Sequence, residues 1–192
     1  GFPNAVATLG TACTPEHVQK LFRFTDSVVF SFDGDSAGRR AAHKALQAAL
    51  PYASDTRSIK FLSLPPEHDP DSFIRSHGPE AFARHVGQAL PLSRFLVEAA
   101  SQGCDLGQSE GRAQMAAHAQ PLWQALPDGV LKRQLLGELA ELGGGSCDFT
   151  LQLRLGQTGL QRCPCRELFA SGIEMVGYAF EDAERSASEV WL

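Results

Sequence analysis

The alternation of short apolar runs with helical stretches over the first 64 residues most constrains the fold of this chain. Apolar runs at residues 5–9, 28–32 and 59–64 have the length of buried strands, and apolar residues recur at helical spacing between them. The order strand, helix, strand, helix, strand with short connections implies parallel strands joined by right-handed crossovers. The sequence therefore predicts an α/β fold with an open parallel sheet over residues 1–70.

Helix-start and helix-stop residues mark the two crossover helices. Thr14 is a favourable N-cap and Pro15 suits the first helical position, whereas Pro51 cannot continue a helix. We therefore expect one helix to begin after Thr14 and the second to end before Pro51.

Beyond the sheet, apolar residues recur at helical spacing between Gly and Pro residues. This pattern predicts a helical subdomain over residues 71–143, with helices at about residues 71–77, 79–89, 91–102, 111–125 and 128–142. A Gly-rich stretch then resembles a linker, and the residues after it show no regular pattern. We expect an irregular tail over residues 144–192.

Composition argues against several classes of protein. The net charge of −5 disfavours nucleic-acid binding through bulk electrostatics, so such binding would need a metal or a local basic patch. The five Cys residues are irregularly spaced and include no CxxC pair, so we expect neither a disulfide framework nor a zinc site. No apolar run is long enough to cross a bilayer, which predicts a cytoplasmic protein with no membrane partner. Because the chain begins at Gly1 without Met, we expect a fragment of a longer protein.

Acidic residues follow two of the predicted strands. Asp33 and Asp35 come directly after one apolar run, and Asp69 and Asp71 come after the next. Since the carboxyl ends of parallel strands lie at one edge of a sheet, four carboxylates can converge there. Two carboxylates about 4 Å apart repel by roughly 4 kcal/mol at an effective dielectric near 20, so such a cluster protonates or holds a cation. Oxygen ligands favour Mg²⁺ or Mn²⁺.

The alternative interpretation is that these residues cap helices. Asp is a favourable N-cap, and both acidic pairs precede predicted helices, so each Asp taken singly is more typical of a cap than of a ligand. The occurrence of two such pairs after successive strands favours the metal site. Arg39, Arg40 and Lys44 come soon after the first pair, where they can meet a phosphate or remain solvated.

Several segments together resemble one known family. They are the run at residues 5–11, the first acidic pair with Ala37-Gly38-Arg39, and the triplet Asp69-Pro70-Asp71. From about Asn4 to Gly144, the chain resembles the Rossmann-like toprim region of bacterial replicative DNA primases of the DnaG type. The resemblance implies an incomplete toprim domain over residues 1–70, followed by the helical subdomain. Past Gly145 it ends, so the tail is expected to be foreign to the family.

The resemblance implies a fragment of a DNA primase, which makes short RNA primers for replication by magnesium-dependent nucleotidyl transfer. Its partners would be a single-stranded DNA template, nucleoside triphosphates and the replicative helicase. Asp33 and Asp35 would be catalytic, and together with Asp69 and Asp71 they would hold Mg²⁺ or Mn²⁺. The residues expected to lie near nucleotide phosphates are Gly10, Thr11, Arg39 and Arg40.

The chain also departs from the family. An invariant Glu of the family would precede Gly1, and His68 stands where the family usually carries Glu. The template-holding subdomain, the zinc domain and the helicase-binding domain are expected to be absent. We therefore expect at most weak metal binding, and no primer synthesis, from this polypeptide alone.

Two further classes of function remain open on the sequence. One is another phosphoryl-transfer enzyme, either a toprim nuclease, a topoisomerase or a phosphatase whose acidic pair also follows a strand. The other is a degenerate toprim module that serves only as an interaction platform.

Overall fold

The computed structural model describes residues 2–8, 13–65 and 67–145. The helices among these residues are α1 (Pro15–Leu21), α2 (Ser36–Ala49), α3 (Pro70–His77), α4 (Pro79–Gly87), α5 (Leu92–Ser101), α6 (Ser109–Gln124) and α7 (Val130–Leu142). The strands are β1 (Ser27–Phe32), β2 (Ser58–Ser63) and β3 (Leu90–Pro91).

The described sheet has the order β1-β2-β3 and is mixed rather than wholly parallel. β1 and β2 are parallel, in a register that runs from Ser27 opposite Ser58 to Phe32 opposite Ser63. The short β3 pairs antiparallel with β2, which corrects the prediction of a purely parallel sheet. The chain passes from β2 to β3 through two helices, α3 and α4. This connection is not the single-helix crossover that joins parallel strands, so β3 can pair in the antiparallel direction.

Residues 5–8 form no strand, so the prediction of a strand at residues 5–9 is wrong for the part that the structure describes. All four residues are exposed, and the side chain of Val6 is 77% exposed. The run consists mostly of Ala and Thr, whose small side chains bury little apolar area. A short apolar run of small residues is therefore not enough to predict a buried strand.

The sheet separates two hydrophobic clusters. Side chains of Phe30 and Phe61 join the main core beneath α2, α5, α6 and α7, whereas Leu62 joins Phe73 in a smaller cluster with residues of α4. This division follows from the alternation of side chains along a strand. Phe61 stacks on Phe95 of α5 with ring centroids 4.3 Å apart, so the sheet and the helices after residue 71 share one core.

The helix predictions are confirmed within a few residues. Thr14 caps α1 in a capping box, with Pro15 in the first turn. α2 ends at Ala49, and Pro51 lies in a 3₁₀ turn over Leu50–Tyr52. The five helices predicted after residue 71 correspond to α3 to α7. None of the helices described is both long and apolar enough to cross a membrane.

Candidate metal and phosphate site

The first acidic pair lies at the carboxyl end of β1, as the sequence predicts. The parallel ladder continues to this edge, because the backbone N–H of Leu64 donates to the carbonyl oxygen of Phe32 at 3.0 Å. Asp33 therefore leaves β1 beside the segment that leaves β2. Both Asp33 and Asp35 are exposed, whereas Gly34 between them is buried.

Asp35 is the N-cap of α2. Its Oδ1 accepts a hydrogen bond from the backbone N–H of Gly38 at 2.6 Å. The helix-cap interpretation is therefore correct for this residue, and it does not remove the metal interpretation. A carboxylate that accepts one N–H through one oxygen still has a second oxygen for a cation.

Gly38 allows α2 to begin directly against the turn. A Cβ at this position would lie 2.0 Å from the carbonyl oxygen of Asp33, far inside any real contact distance. The guanidinium of Arg39 then donates to the carbonyl oxygen of Gly34 at 2.9 Å. The spacing of the two Asp residues, Gly38 and Arg39 therefore builds a fixed turn that presents carboxylates at its surface.

The side chains of Asp33 and Asp35 suit a hard divalent cation. Mg²⁺ is usually held by one or two carboxylates together with waters and substrate phosphates, rather than by a complete protein cage. Two exposed carboxylates one residue apart at an open sheet edge match that requirement, and no Cys or His of the described residues joins them in a metal-binding group. As a donor set, this pair fits magnesium or manganese.

The second acidic pair begins α3, and each of its residues already has a partner. Asp69 accepts the backbone N–H of Ser72 at 2.7 Å, while the Ser72 hydroxyl accepts the backbone N–H of Asp69 at 2.9 Å. The hydrogen bond from the Ser72 backbone N–H, followed by one from the Ser72 side chain, lowers the pKa of Asp69 below its ordinary value. Asp71 forms an exposed ion pair with Arg75, at 2.9 Å.

The two acidic pairs follow neighbouring parallel strands, yet they do not form a single cluster. Among residues 2–8, 13–65 and 67–145, no three His, Cys, Asp or Glu side chains are close enough together to hold a metal ion. The assignment of all four Asp residues as ligands stays a prediction. Of the expected phosphate contacts, Arg40 is exposed on α2, and Gly10 and Thr11 lie outside the described residues.

Some features of this edge were not predicted from the sequence. The cap at Asp69 was one of the two interpretations of the sequence, but the Ser72 hydroxyl that completes a capping box with it was not predicted. His68 packs edge-on against Phe73 and His77, with ring centroids 5.7 Å and 5.1 Å apart. No local pattern predicts that contact, because it depends on how the segment before α3 turns toward the helix.

Two family models match the chain. Residues 1–74 match a model described as Toprim-like, and residues 93–146 match one described as the DnaB-helicase binding domain of primase. The second match overlaps α5, α6 and α7. It therefore corrects the expectation that the chain contains nothing of the helicase-binding domain.

Similar proteins are DNA primases. The DNA primase of Pasteurella multocida is 45% identical over 141 residues, which cover 73% of this chain and 24% of that protein. The DNA primase of Neisseria meningitidis serogroup A is 45% identical over 163 residues, which cover 84% of this chain and 28% of that protein. The chain thus spans about a quarter of the length of these relatives.

The Neisseria match bears on the predicted end of the resemblance. A coverage of 84% of 192 residues extends beyond Gly145, where the resemblance was expected to stop. That expectation is therefore wrong for this relative. The predicted irregular tail itself lies, from residue 146 onward, outside the described residues.

Solved primase structures share this fold. The crystal structure of a DNA primase domain from Pseudomonas aeruginosa has a TM-score of 0.73 and 41% identity, covering 78% of this chain and 47% of that chain. The DnaG primase catalytic domain bound to single-stranded DNA has a TM-score of 0.67 and 43% identity, covering 71% and 43%. The comparisons give no support to the nuclease, topoisomerase or interaction-module alternatives.

Proposed function

The chain belongs to the bacterial DnaG-type DNA primases, and we propose that it supplies the carboxylate part of their nucleotidyl-transfer site. In the whole protein this site would make short RNA primers on single-stranded DNA from nucleoside triphosphates. The observation that supports the proposal is the turn between β1 and α2, which holds Asp33 and Asp35 exposed at the sheet edge. The solved relative bound to single-stranded DNA supports the choice of template.

Each residue of the turn has a defined part in this proposal. Asp33 offers a carboxylate without a hydrogen-bond partner among the described residues, and Asp35 offers the oxygen that Gly38 does not engage. Arg39 holds the turn through Gly34 and thereby fixes the spacing of the two carboxylates. A bound Mg²⁺ would neutralise phosphate charge and stabilise the negative charge that develops as the primer 3′ oxygen attacks.

The remaining predicted residues would act beside this turn. Asp69 keeps one carboxylate oxygen outside its cap, so it can approach a cation without uncapping α3. Asp71 must leave Arg75 to do so, which costs little because exposed ion pairs are weak. Gly10, Thr11 and Arg39 are proposed to lie near the nucleotide phosphates, and Arg40, exposed on α2, is proposed to meet a phosphate of the nucleotide or of the template.

We propose that the isolated chain binds a divalent cation weakly and makes no primer. Two carboxylates neutralise a divalent cation but fill only part of its coordination shell, so waters complete it and affinity stays low. A cytoplasmic location is part of the same proposal, since primer synthesis takes place where the replicating DNA lies.

A metal titration tests the proposed cation site. In Asp33→Asn and Asp35→Asn, we expect the affinity for Mn²⁺ to fall at least about tenfold, since even supporting residues of metal sites cost that much. Asn replaces Asp well as an N-cap, so Asp35→Asn separates the ligand role from the cap role. Asp26→Asn is the matched control, because Asp26 is an exposed residue at the opposite end of β1.

The outcome is read from Mn²⁺ binding by electron paramagnetic resonance. Equal affinities in the wild type, Asp33→Asn and Asp26→Asn would show that the turn is not a cation site. Primer synthesis by the isolated chain with Mg²⁺ and template would contradict the proposal that the chain is an incomplete site.

We also propose that residues 93–146 take part in contact with the replicative helicase. The proposal is supported by the description of the family model that matches these residues. Within the described residues, Val130 and Leu142 are the large hydrophobic side chains of this segment that remain exposed, at the two ends of α7. Exposed hydrophobic side chains at interfaces contribute to association when a partner covers them.

Co-sedimentation with the purified DnaB-type helicase tests this contact. We expect the double variant Val130→Ser, Leu142→Ser to lower the helicase affinity, whereas the control Val6→Ser, Phe24→Ser should not, although it also removes two exposed hydrophobic side chains. Equal weakening by both double variants, or no binding by the wild type, would overturn the proposal.

A further inference from the structure

α2 differs in charge from the other helices that the structure describes. It carries Arg39, Arg40 and Lys44 and no acidic residue. Each of the other described helices carries at least one acidic and at least one basic residue, as in the pair Asp71 and Arg75 of α3. In a chain with a net charge of −5, this leaves one helix as a local concentration of positive charge.

The positive charge is presented on one side of α2. The opposite side is fixed in the main core by Ala45, Leu46 and Ala49, so the orientation of the helix is set. Arg40 and Lys44 are exposed, and their spacing of four residues places them on the same face. Gln47 is exposed three residues further along and adds a neutral hydrogen-bond donor.

The cations of this face are not used inside the described part of the chain. The ion pairs found there join Arg75 to Asp71 and Lys132 to Asp128, and neither Arg40 nor Lys44 has a carboxylate partner among these residues. Arg39 differs from both, because its guanidinium is engaged by the carbonyl oxygen of Gly34. The face therefore consists of Arg40, Lys44 and Gln47.

We propose that this face of α2 binds the phosphate backbone of single-stranded DNA. The choice of DNA, and not another polyanion, rests on the proposed function. Arg40 and Lys44 are about 6 Å apart along the helix axis. A single DNA strand carries one phosphate per roughly 3.4 Å of its axis, so both side chains can contact phosphates of one strand. Because the side chains of one helix face form a single row, they can contact the phosphates of one DNA strand along that row.

The position of the face relative to the carboxylates supports this choice. α2 begins at Ser36, directly after Asp35, and its exposed cations follow within the first turns. DNA that approaches the carboxylate edge without a bound cation meets electrostatic repulsion, whereas the α2 face attracts it without a metal. A strand held along α2 therefore passes beside the proposed site of nucleotidyl transfer.

Anisotropy measurements with a fluorescent oligo-dT test the inference on the full 192-residue chain in EDTA over a series of salt concentrations. Each lost phosphate contact on a single strand changes the slope of log K against log salt by about 0.7, so Arg40→Gln, Lys44→Gln should reduce it by about 1.4. The control Arg84→Gln, Arg94→Gln removes the same charge from two exposed residues of α4 and α5 and should leave the slope unchanged.

The two proposals fail differently in this experiment. Binding in EDTA does not use the cation site, so loss of Mn²⁺ affinity in Asp33→Asn with intact oligo-dT binding leaves the α2 face supported. Equal slopes in the two double variants would overturn the inference, as would an absence of oligo-dT binding by the wild type at low salt. A loss of ATP affinity with unchanged oligo-dT binding would assign the face to the nucleotide and also overturn it.

Discussion

The carboxylate of Asp55 caps α7 through the backbone N–H of Leu131, at 2.8 Å, although 76 positions separate the two residues. Its second oxygen accepts the N–H of Val130 at 3.1 Å. The N-cap residue Gly129 has no side chain that could do this, and a Cβ there would lie 3.1 Å from the Asp55 carboxylate. The turn before β2 therefore supplies the cap that α7 lacks.

Removing this carboxylate should destabilise the protein by uncapping α7. We expect Asp55→Ala to lower the thermal midpoint more than Asp55→Asn, because Asn retains one acceptor oxygen for the two N–H groups. Asp26→Ala, which removes an exposed carboxylate without a hydrogen-bond partner among the described residues, should leave the midpoint nearly unchanged. Circular dichroism melts measure all three variants, and a midpoint for Asp55→Ala equal to that of Asp26→Ala would contradict the capping role.

The Asp55 cap should also make stability depend on pH. The hydrogen bonds from Leu131 and then Val130 lower the pKa of Asp55 from its ordinary value of 3.8. The stabilisation is therefore fully present above the unfolded pKa and is lost as the pH falls through the lower folded pKa. We expect the midpoint difference between the wild type and Asp55→Asn to be constant near neutrality and to shrink below about pH 4.

This difference measurement separates Asp55 from other acidic groups. Asp69 and Glu16 also have pKa values lowered by hydrogen bonds, so the wild type alone would report their sum. Because both groups are unchanged in Asp55→Asn, their contributions cancel in the difference. A midpoint difference that grows on acidification would contradict a lowered pKa of Asp55 in the folded protein.

The Asp55 cap also shows what local sequence patterns cannot reveal. The start of α1 was predictable because Thr14 and Pro15 are neighbours in sequence, whereas no local pattern links Asp55 to Leu131. β1 and β2 were predictable because large apolar residues alternate in them between two cores. The same reasoning failed at residues 5–8, where the apolar residues are small. It also failed at β3, because the pairing of Pro91 with Lys60 depends on the tertiary fold and not on a local pattern.

The candidate site was partly predictable for the same reason. The sequence placed Asp33 and Asp35 at a strand end, since the strand and the pair are adjacent. It left open whether these residues are caps or ligands, and the structure shows that Asp35 has a cap hydrogen bond and a free oxygen. How closely the second pair approaches depends on the loop between β2 and α3, whose path the local pattern does not determine.

Gly38 should be the least replaceable residue of the carboxylate turn. A Cβ in Gly38→Ala would collide with the Asp33 carbonyl oxygen, and overpacking of this kind costs about 1–3 kcal/mol. Gly137 in α7 is the matched control, because a Cβ there meets nothing within 4 Å and Ala favours a helix over Gly by about 1 kcal/mol. We expect urea denaturation to show a loss of stability for Gly38→Ala and a gain for Gly137→Ala.

The same variant links the turn to the cation site. Since Ala at position 38 must displace the Asp33 backbone or the first turn of α2, the spacing of the two carboxylates should change. We expect Mn²⁺ affinity to fall in Gly38→Ala and to stay at the wild-type value in Gly137→Ala. Unchanged Mn²⁺ binding together with unchanged stability in Gly38→Ala would show that the close approach of α2 is not required.

The stacked rings of Phe61 and Phe95 should make the sheet and the helical part unfold together. Phe61 is 3% exposed, and truncation of such a side chain to Ala costs about 3–5 kcal/mol. If residues 1–70 and 71–143 were separate domains, Phe61→Ala would destabilise only the first. Because one core includes Phe61, Leu96 and Leu139, we expect hydrogen exchange to accelerate in β1, α5 and α7 alike.

Phe24→Ala removes an 83% exposed ring and should change exchange little. Faster exchange confined to residues before 71 would instead support two independent domains.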